Sequence, residues 1–305
     1  MIPVFPEFKK IELSDRVEIE ELTSQFPPYS DFNFTSLWAW DTKGENMFSK
    51  LNGNLIVRFT DYETGHPLFS FIGNNKSEQT AKQLIDFAES LGVSPVLYFL
   101  PEESIKDFKD TKFSVGEDKN HFDYIYNVSD LADLLGPNFK DKRNLVSKFV
   151  KQYPQASFEL KDLSNGEVRE QIISVLNKWQ DKKRSNPNTK NSYSIYEEIA
   201  INRLLQTHIG HKLVVSCVFI DGHMIGFSID EITRANFAIS HFFKADTSFK
   251  GVYDFLNKKT SEYLQSNNVK FWNWEQDLGK NNLKKSKLSY CPIFFLKKYK
   301  VSLTS

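Results

Sequence analysis

The chain has 305 residues with 39 basic and 39 acidic side chains, so its formal charge is zero and no global field recruits nucleic acid or membrane. Hydrophobic residues make up 40% and include 27 phenylalanines, which excludes a disordered chain. The only two cysteines, Cys217 and Cys291, exclude a disulfide scaffold and point to reduced thiols.

The amino-terminal segment lacks the basic and apolar regions of a signal peptide, and no apolar run approaches the ~18 residues of a membrane span. The expectation is a soluble, cytoplasmic protein. In chain order, residues 17–26 read as an amphipathic helix. Asn52-Gly53 then sits between two β-rich runs over 47–59, a two-residue hairpin signal, because both turn positions need positive φ. A turn near Gly65 leads to a strand over 68–73. A helix follows with Ala81, Leu84, Ile85, Ala88 and Leu91 on one face, then Gly92 and a strand over 95–100.

Gly136-Pro137 breaks the pattern, after which Phe139, Val146, Phe149, Val150 and Tyr153 share a helical face. The opposite face carries Lys140, Lys142, Arg143, Lys148 and Lys151, either a solvated helix face or a basic rail for phosphates or RNA. Residues 167–179 give a clean amphipathic stripe, and the polar run 182–190 reads as a mobile loop and candidate lid. Asp221-Gly222 makes a second hairpin over 213–230. It is followed by a turn at 233–236, a strand over 237–243, a loop to Gly251, a helix bearing Val252, Phe255, Leu256 and Leu264, and a strand over 270–274. The two hairpin turns lie 169 residues apart, and both halves read hairpin, strand, helix, strand. The expectation is an α+β protein of two related units, 1–135 and 136–305.

Metal and nucleophile motifs are scarce. His208 and His211 lack a third ligand, Cys217 alternates into a core, and Cys291 has no identifiable base. Without GxSxG, Walker or GxGxxG signatures, serine hydrolases, P-loop NTPases and dinucleotide oxidoreductases are disfavoured. The dense polar stretch lies near the carboxyl end. His241 and Lys244 flank a strand end, Gly251 opens a helix, and Asn273, Glu275 and Asp277 alternate, which puts them on one face of an extended strand. The competing reading is an exposed acidic loop balanced by Lys280, Lys284, Lys285 and Lys287.

SDFNFTSLWAW, FKDKRNLVSKF and the run HFFKAD…FKGVYDFLNK…WNWEQDLG…LKKSKLSY together resemble the phosphatidylglycerol lysyltransferase C-terminal-domain family, over roughly residues 25–300. The resemblance implies two tandem GNAT-like acyltransferase folds. It also implies transfer of an aminoacyl group from charged tRNA to a lipid headgroup, or, in related enzymes, to peptidoglycan precursors. The sequence departs from the family in three ways. It contains no large membrane domain, it has Trp274 and Lys284 where arginines are usual, and its pyrophosphate loop is degenerate, with Tyr253 or Phe249 in a glycine slot.

On this reading the chain moves an acyl or aminoacyl group from an activated donor, acyl-CoA or aminoacyl-tRNA, to an amine or hydroxyl. No cofactor is tightly bound and no metal is used; the partners are a small-molecule, lipid or peptide acceptor and tRNA. Glu275 or Asp277 orients or deprotonates the acceptor, with His241 as a second base and Tyr290 as a hydroxyl donor. Lys244, Gly251, Tyr253, Asn273, Lys284, Lys287 and Arg143 form the donor- and substrate-binding set. The alternative is a non-catalytic small-molecule- or RNA-binding module that keeps the fold, with a purely structural partner protein as a third reading. Convergence of His241, Glu275 and Tyr290 favours the enzyme; a cleft filled by Trp272 and Trp274 favours the others.

Overall fold

A computed structural model describes residues 1–61, 64–109, 112–185, 193–207, 212–233 and 236–304. His208, His211 and most of the candidate lid lie outside the described residues. The chain forms two compact units. One comprises Met1–Asp123, Glu275–Lys284 and Phe295–Ser305, the other Tyr124–Trp274 and Lys285–Phe294.

The amino-terminal part runs β1 (Lys9–Lys10), α1 (Arg16–Thr23), α2 (Phe34–Ala39), β2 (Met47–Leu51), β3 (Asn54–Thr60), β4 (Pro67–Ile72), α3 (Ser77–Ser90), β5 (Leu97–Pro101), α4 (Glu102–Ile105) and β6 (Phe113–Glu117). Next come β7 (Asp123–Asn127), α5 (Val128–Asp133), α6 (Lys140–Gln152), β8 (Ser157–Lys161), α7 (Gly166–Arg184) and α8 (Tyr193–Gln206). The chain continues through β9 (Leu213–Ile220), β10 (His223–Ile232), β11 (Phe237–Ala245), α9 (Val252–Ser266), β12 (Phe271–Asn273), α10 (Asn281–Leu288), β13 (Phe294–Leu296) and β14 (Lys298–Leu303).

Both hairpins form as the turn chemistry demands. Asn52 and Gly53 have φ of 54° and 81°, and Asp221 and Gly222 have 50° and 77°. Helix α3 buries Ala81, Leu84, Ile85 and Ala88 against Ile56, Phe69, Phe71 and Leu97. Leu91, expected on that face, is 54% exposed because it caps the helix instead. In the second unit α9 buries Val252, Phe255, Leu256 and Leu264 in a core with Val218, Ala238 and Trp272.

The first sheet has the order β1-β2-β3-β4-β5-β14-β6, and the second β8-β9-β10-β11-β12-β7-β13. These are one pattern. In each, an antiparallel hairpin precedes a strand that runs parallel to its neighbour after a helical crossover: α3 between β4 and β5, α9 between β11 and β12. The duplication expected from the hairpins is therefore real at the level of strand order.

The expected boundary at residue 135 does not match the compact units. β7, encoded in the first half, pairs with β12 in the second sheet. β14, encoded at the carboxyl end, pairs with β5 and β6 in the first. The two strands fill equivalent slots, so the repeats have exchanged them. Periodicity reports that a strand forms, not which sheet accepts it.

Lys298 opens β14 and is fully buried. Its Nζ donates to Asp123 Oδ1 at 2.6 Å and to Ser30 Oγ at 3.1 Å, and it pairs with Asp31. Asp123 also accepts from the Ser30 amide at 2.7 Å. Burial by itself would lower the Lys298 pKa, but Asp123 and Asp31 outweigh it and raise it. Burial also pushes the Asp31 carboxyl up. Replacing Lys298 by Met leaves two carboxylates without their cation. The expected loss is about 3–5 kcal/mol in urea denaturation, and a loss under ~1 kcal/mol would show the triad to be dispensable.

Candidate functional site

The candidate site of the second unit is built where β11 and β12 part. Their parallel pairing spans three positions, Phe237↔Phe271, Ala238↔Trp272 and Ile239↔Asn273; β12 then ends while β11 continues to Ala245. Just beyond the last pair, β11 carries a bulge: Asp230 of β10 faces Ser240 and Ile229 faces Phe242, leaving His241 as the extra residue.

The His241 Nε2 lies 3.4 Å from Glu231 Oε2, with the imidazole side chain only 1% exposed. The Asp230 carboxylate accepts from the Trp272 indole at 3.0 Å and from Ser228 Oγ. Burial raises its pKa to about 7 against those hydrogen bonds. The folded state therefore holds a proton on Asp230 through a range, from about 4 to 7, where the unfolded chain has lost it. With more protons on the native state, stability falls as pH rises through that window. Asp230→Asn should flatten this decline in thermal melts between pH 4 and 7; an unchanged slope would remove Asp230 as its source.

At the amino end of α9, Gly251 adopts φ of 91°, and a Cβ there would stand 2.7 Å from the Leu145 carbonyl oxygen of α6. Phe149 of α6 packs on Phe255 at 4.7 Å between ring centroids. Helix α6 therefore lies directly over the turn at which a GNAT unit receives a pyrophosphate. The first turn of α9 also carries Asp254, which accepts a 2.7 Å hydrogen bond from the Tyr290 hydroxyl. Lys142 Nζ sits 3.5 Å from that carboxylate and 3.6 Å from the centre of the Tyr290 ring. Burial lowers the Lys142 pKa more than Asp254 raises it, and burial with the Asp254 charge drives Tyr290 well up. Tyr290 is thus a hydrogen-bond donor, not a base.

Aromatic rings pack together at the carboxyl end of β12. Trp274 lies 4.2 Å from Tyr126, 5.2 Å from Trp272 and 5.0 Å from Tyr290, and Trp272 is wholly buried. Tyr253 accepts from the Ala245 amide at 3.2 Å, and burial raises its pKa. Lys244 pairs with Glu197 at 2.7 Å and lies 4.4 Å above Trp179.

Of the residues singled out from sequence, Gly251, Tyr253 and Tyr290 belong to this region, and Lys244 borders it. His241 instead pairs inside the sheet, and Asn273 is fully buried. Lys287 does not face a phosphate: it is buried and donates to the Trp274 carbonyl. Arg143 donates to the carbonyls of Leu134 and Gly136, closing the turn before α6. Lys284 is exposed on α10. Asp254, Glu231 and Asp230 were missed, and Lys142 was read only as part of the basic face of α6. The signal for Asp254 is its place three residues after Gly251, within a first helical turn that favours carboxylates.

The expected alternation of Asn273, Glu275 and Asp277 on one strand face is not observed. β12 stops at Asn273, and Glu275 takes φ of 57°, which turns the chain. Glu275 and Asp277 belong to the first compact unit, where Glu275 accepts from Ser36 Oγ at 3.2 Å and Gln276 donates to Asp31 at 3.3 Å. Asp277 closes its own turn by accepting from the Gly279 amide at 2.7 Å and is 1% exposed. Of the lysines expected to balance them, Lys287 is engaged elsewhere, donating to the Trp274 carbonyl. Glu275→Gln should keep the Ser36 hydrogen bond and melt within about 2 °C of the parent, whereas Asp277→Ala should cost about 1–3 kcal/mol by orphaning a turn amide. Equal losses in calorimetric melts would refute this division.

Two sheets with one strand order, each with a crossover helix over a diverging parallel pair, define a tandem GNAT-like acyltransferase fold. The family model for the phosphatidylglycerol lysyltransferase C-terminal region matches residues 23–302, and the chain belongs to that family. Family and fold together make it an acyl- or aminoacyltransferase-like protein.

A conserved protein of unknown function from Bacteroides thetaiotaomicron is similar over the whole of both chains, with 26% identity and a TM-score of 0.84. L-PGS from Bacillus licheniformis shares the fold at a TM-score of 0.63 and 14% identity, over 99% of this chain and 93% of that one. An uncharacterized protein of Mycoplasmoides gallisepticum is 25% identical over 187 residues, 59% of this chain but only 56% of that protein. Among the described residues, no helix is long and apolar enough to cross a membrane, and no group of three or more His, Cys, Asp or Glu side chains is placed to hold a metal.

Proposed function

We propose that the chain transfers an aminoacyl group from an ester donor of the aminoacyl-tRNA class to an amine or hydroxyl acceptor, and that acyl-CoA is not its donor. The observation that carries this reading is the closed amino end of α9. The Leu145 carbonyl stands against Gly251, and the Asp254 carboxylate occupies the first turn. A pyrophosphate entering there meets a backbone oxygen and a like charge where it needs free amides.

An RNA ester needs no such cradle, because its phosphates can be held on an exposed basic surface. Lys140, Lys148 and Lys151 of α6 are exposed and supply one. In this reading the Tyr290 hydroxyl, which donates to Asp254 in the resting protein, turns that hydrogen bond to the developing oxyanion once the ester is bound. His241 acts through the sheet rather than on substrate, since its side chain is only 1% exposed.

A second reading is a binding module that retains the fold, favoured by the indole and phenol rings packed at the carboxyl end of β12. Three measurements test these readings. Calorimetric titration with acetyl-CoA should show no binding at concentrations of tens of micromolar; a low-micromolar dissociation constant would point to a conventional acetyltransferase. Charged tRNA should lose its labelled amino acid at least about tenfold faster with the protein than without it. Lys148→Glu/Lys151→Glu should weaken tRNA binding and reduce its salt slope by about two. Tight tRNA binding without accelerated deacylation would leave the binding module as the function.

A further inference from the structure

The rings of Tyr126, Trp272, Trp274 and Tyr290 meet at the carboxyl end of β12, and each carries one polar atom. Three of those atoms are satisfied inside the second unit. The Tyr126 hydroxyl donates to the Lys287 carbonyl at 2.8 Å, the Trp272 indole to Asp230 at 3.0 Å, and the Tyr290 hydroxyl to Asp254 at 2.7 Å. The Trp274 indole N–H is also buried, yet it meets no hydrogen-bond partner among the described residues. A buried donor left unpaired carries its full desolvation cost, which is why such groups are rare in native proteins.

The rest of Trp274 is pinned. Its amide donates to the Tyr124 carbonyl at 3.0 Å, and its own carbonyl accepts from Lys287 Nζ. Contacts with three other rings hold the indole plane. The side chain packs at the margin of the core and is part-exposed, which leaves it within reach of a ligand. Its N–H is therefore a donor fixed in place beforehand, the arrangement that stabilises developing charge with least reorganisation.

An indole nitrogen only donates, so its partner must be an acceptor oxygen. The surroundings select a neutral one. Lys142 faces Asp254 and Lys287 serves the Trp274 carbonyl, so a phosphate or carboxylate brought among these rings would lose its hydration against cations already engaged. An ester carbonyl loses little hydration there and gains a hydrogen bond.

We infer that the Trp274 indole N–H binds the carbonyl oxygen of the aminoacyl ester, as a second donor beside the Tyr290 hydroxyl; this rests on the aminoacyl-transfer reading. The acceptor's amine or hydroxyl adds to the ester carbon, and the carbonyl π pair moves on to the oxygen that the two donors hold. As that pair returns, the bond to the ribose oxygen breaks, and the acceptor's proton ends on the departing oxygen.

Two variants and one titration test this. Trp274→Phe keeps a ring without its N–H and should lower kcat for charged-tRNA deacylation at least about tenfold, with KM within about twofold of the parent. Trp274→His restores a ring N–H, since its Nε2 takes the same ring position relative to Cγ as the indole Nε1. It should be more active than Trp274→Phe while melting lower, because it sets a polar ring among aromatic ones. In proton–nitrogen correlation spectra of the unsubstituted chain, the indole signal missing from Trp274→Phe identifies Trp274. That signal should move downfield with the amide analogue of an aminoacylated adenosine, in which nitrogen replaces the ester oxygen, and hold still with adenosine alone, which lacks the carbonyl. A signal that ignores the analogue, or moves equally with adenosine, overturns the proposal and makes buried water the partner of the N–H. Activity that follows stability, with Trp274→Phe above Trp274→His, also overturns it and leaves the transfer reading standing. If the unsubstituted chain does not accelerate deacylation, the transfer reading falls and the titration alone decides the role of the N–H.

Discussion

The buried ion triad of Lys298, Asp123 and Asp31 is the interaction on which the first sheet depends. Three ionised or ionisable groups stand in an interior that penalises each, and they are tolerated because each satisfies another. Lys298 begins β14 and Asp123 begins β7, the two strands that the repeats have exchanged. A hydrophobic residue at position 298 would pack with less desolvation cost, but it would not specify which strand fills the slot beside β5. Charge pairing is one means by which such specificity is supplied.

The exchange has a kinetic consequence. β14 pairs Tyr299 with Leu100, so the first sheet cannot be completed until the far end of the chain has been made. Contacts of such sequence separation carry a loop-closure cost before they return any stabilisation. The local elements, hairpins and crossover helices, carry no such delay. The fold therefore combines two locally encoded halves with a late, non-local closure of the first sheet.

A second constraint acts at α9. In an open GNAT unit, the helix amino end offers free amides to an anion. Here α6 covers that end, and Asp254 with Lys142 and Tyr290 completes an internal charge pair beside it. Phe149 on Phe255 belongs to the same packing that brings the Leu145 carbonyl against Gly251. On the proposed reading, stability and donor selectivity are coupled through one helix contact. The proposal that the donor is an RNA ester rests on that coupling together with the exposed lysines on the outer face of α6.

The local sequence determined the hairpins, the amphipathic faces of α3, α6, α7 and α9, and the repeated order of hairpin, strand, helix and strand. These depend on periodicity and on turn residues such as Asn52-Gly53 and Asp221-Gly222, which act over a few positions. The chain motifs also carried the family resemblance, so fold and family were legible before any coordinates. Tertiary structure alone decided the destinations of β7 and β14, the burial of Lys287 and Lys298, and the partners of His241 and Tyr290. It also separated Asn273 from Glu275, because a single positive φ at Glu275 ends an alternation that looks continuous in one dimension. The reason is the same throughout. A side chain's spacing records which local face it shares, whereas its partner is set by segments as many as 268 residues away, and burial energies are decided by the partner.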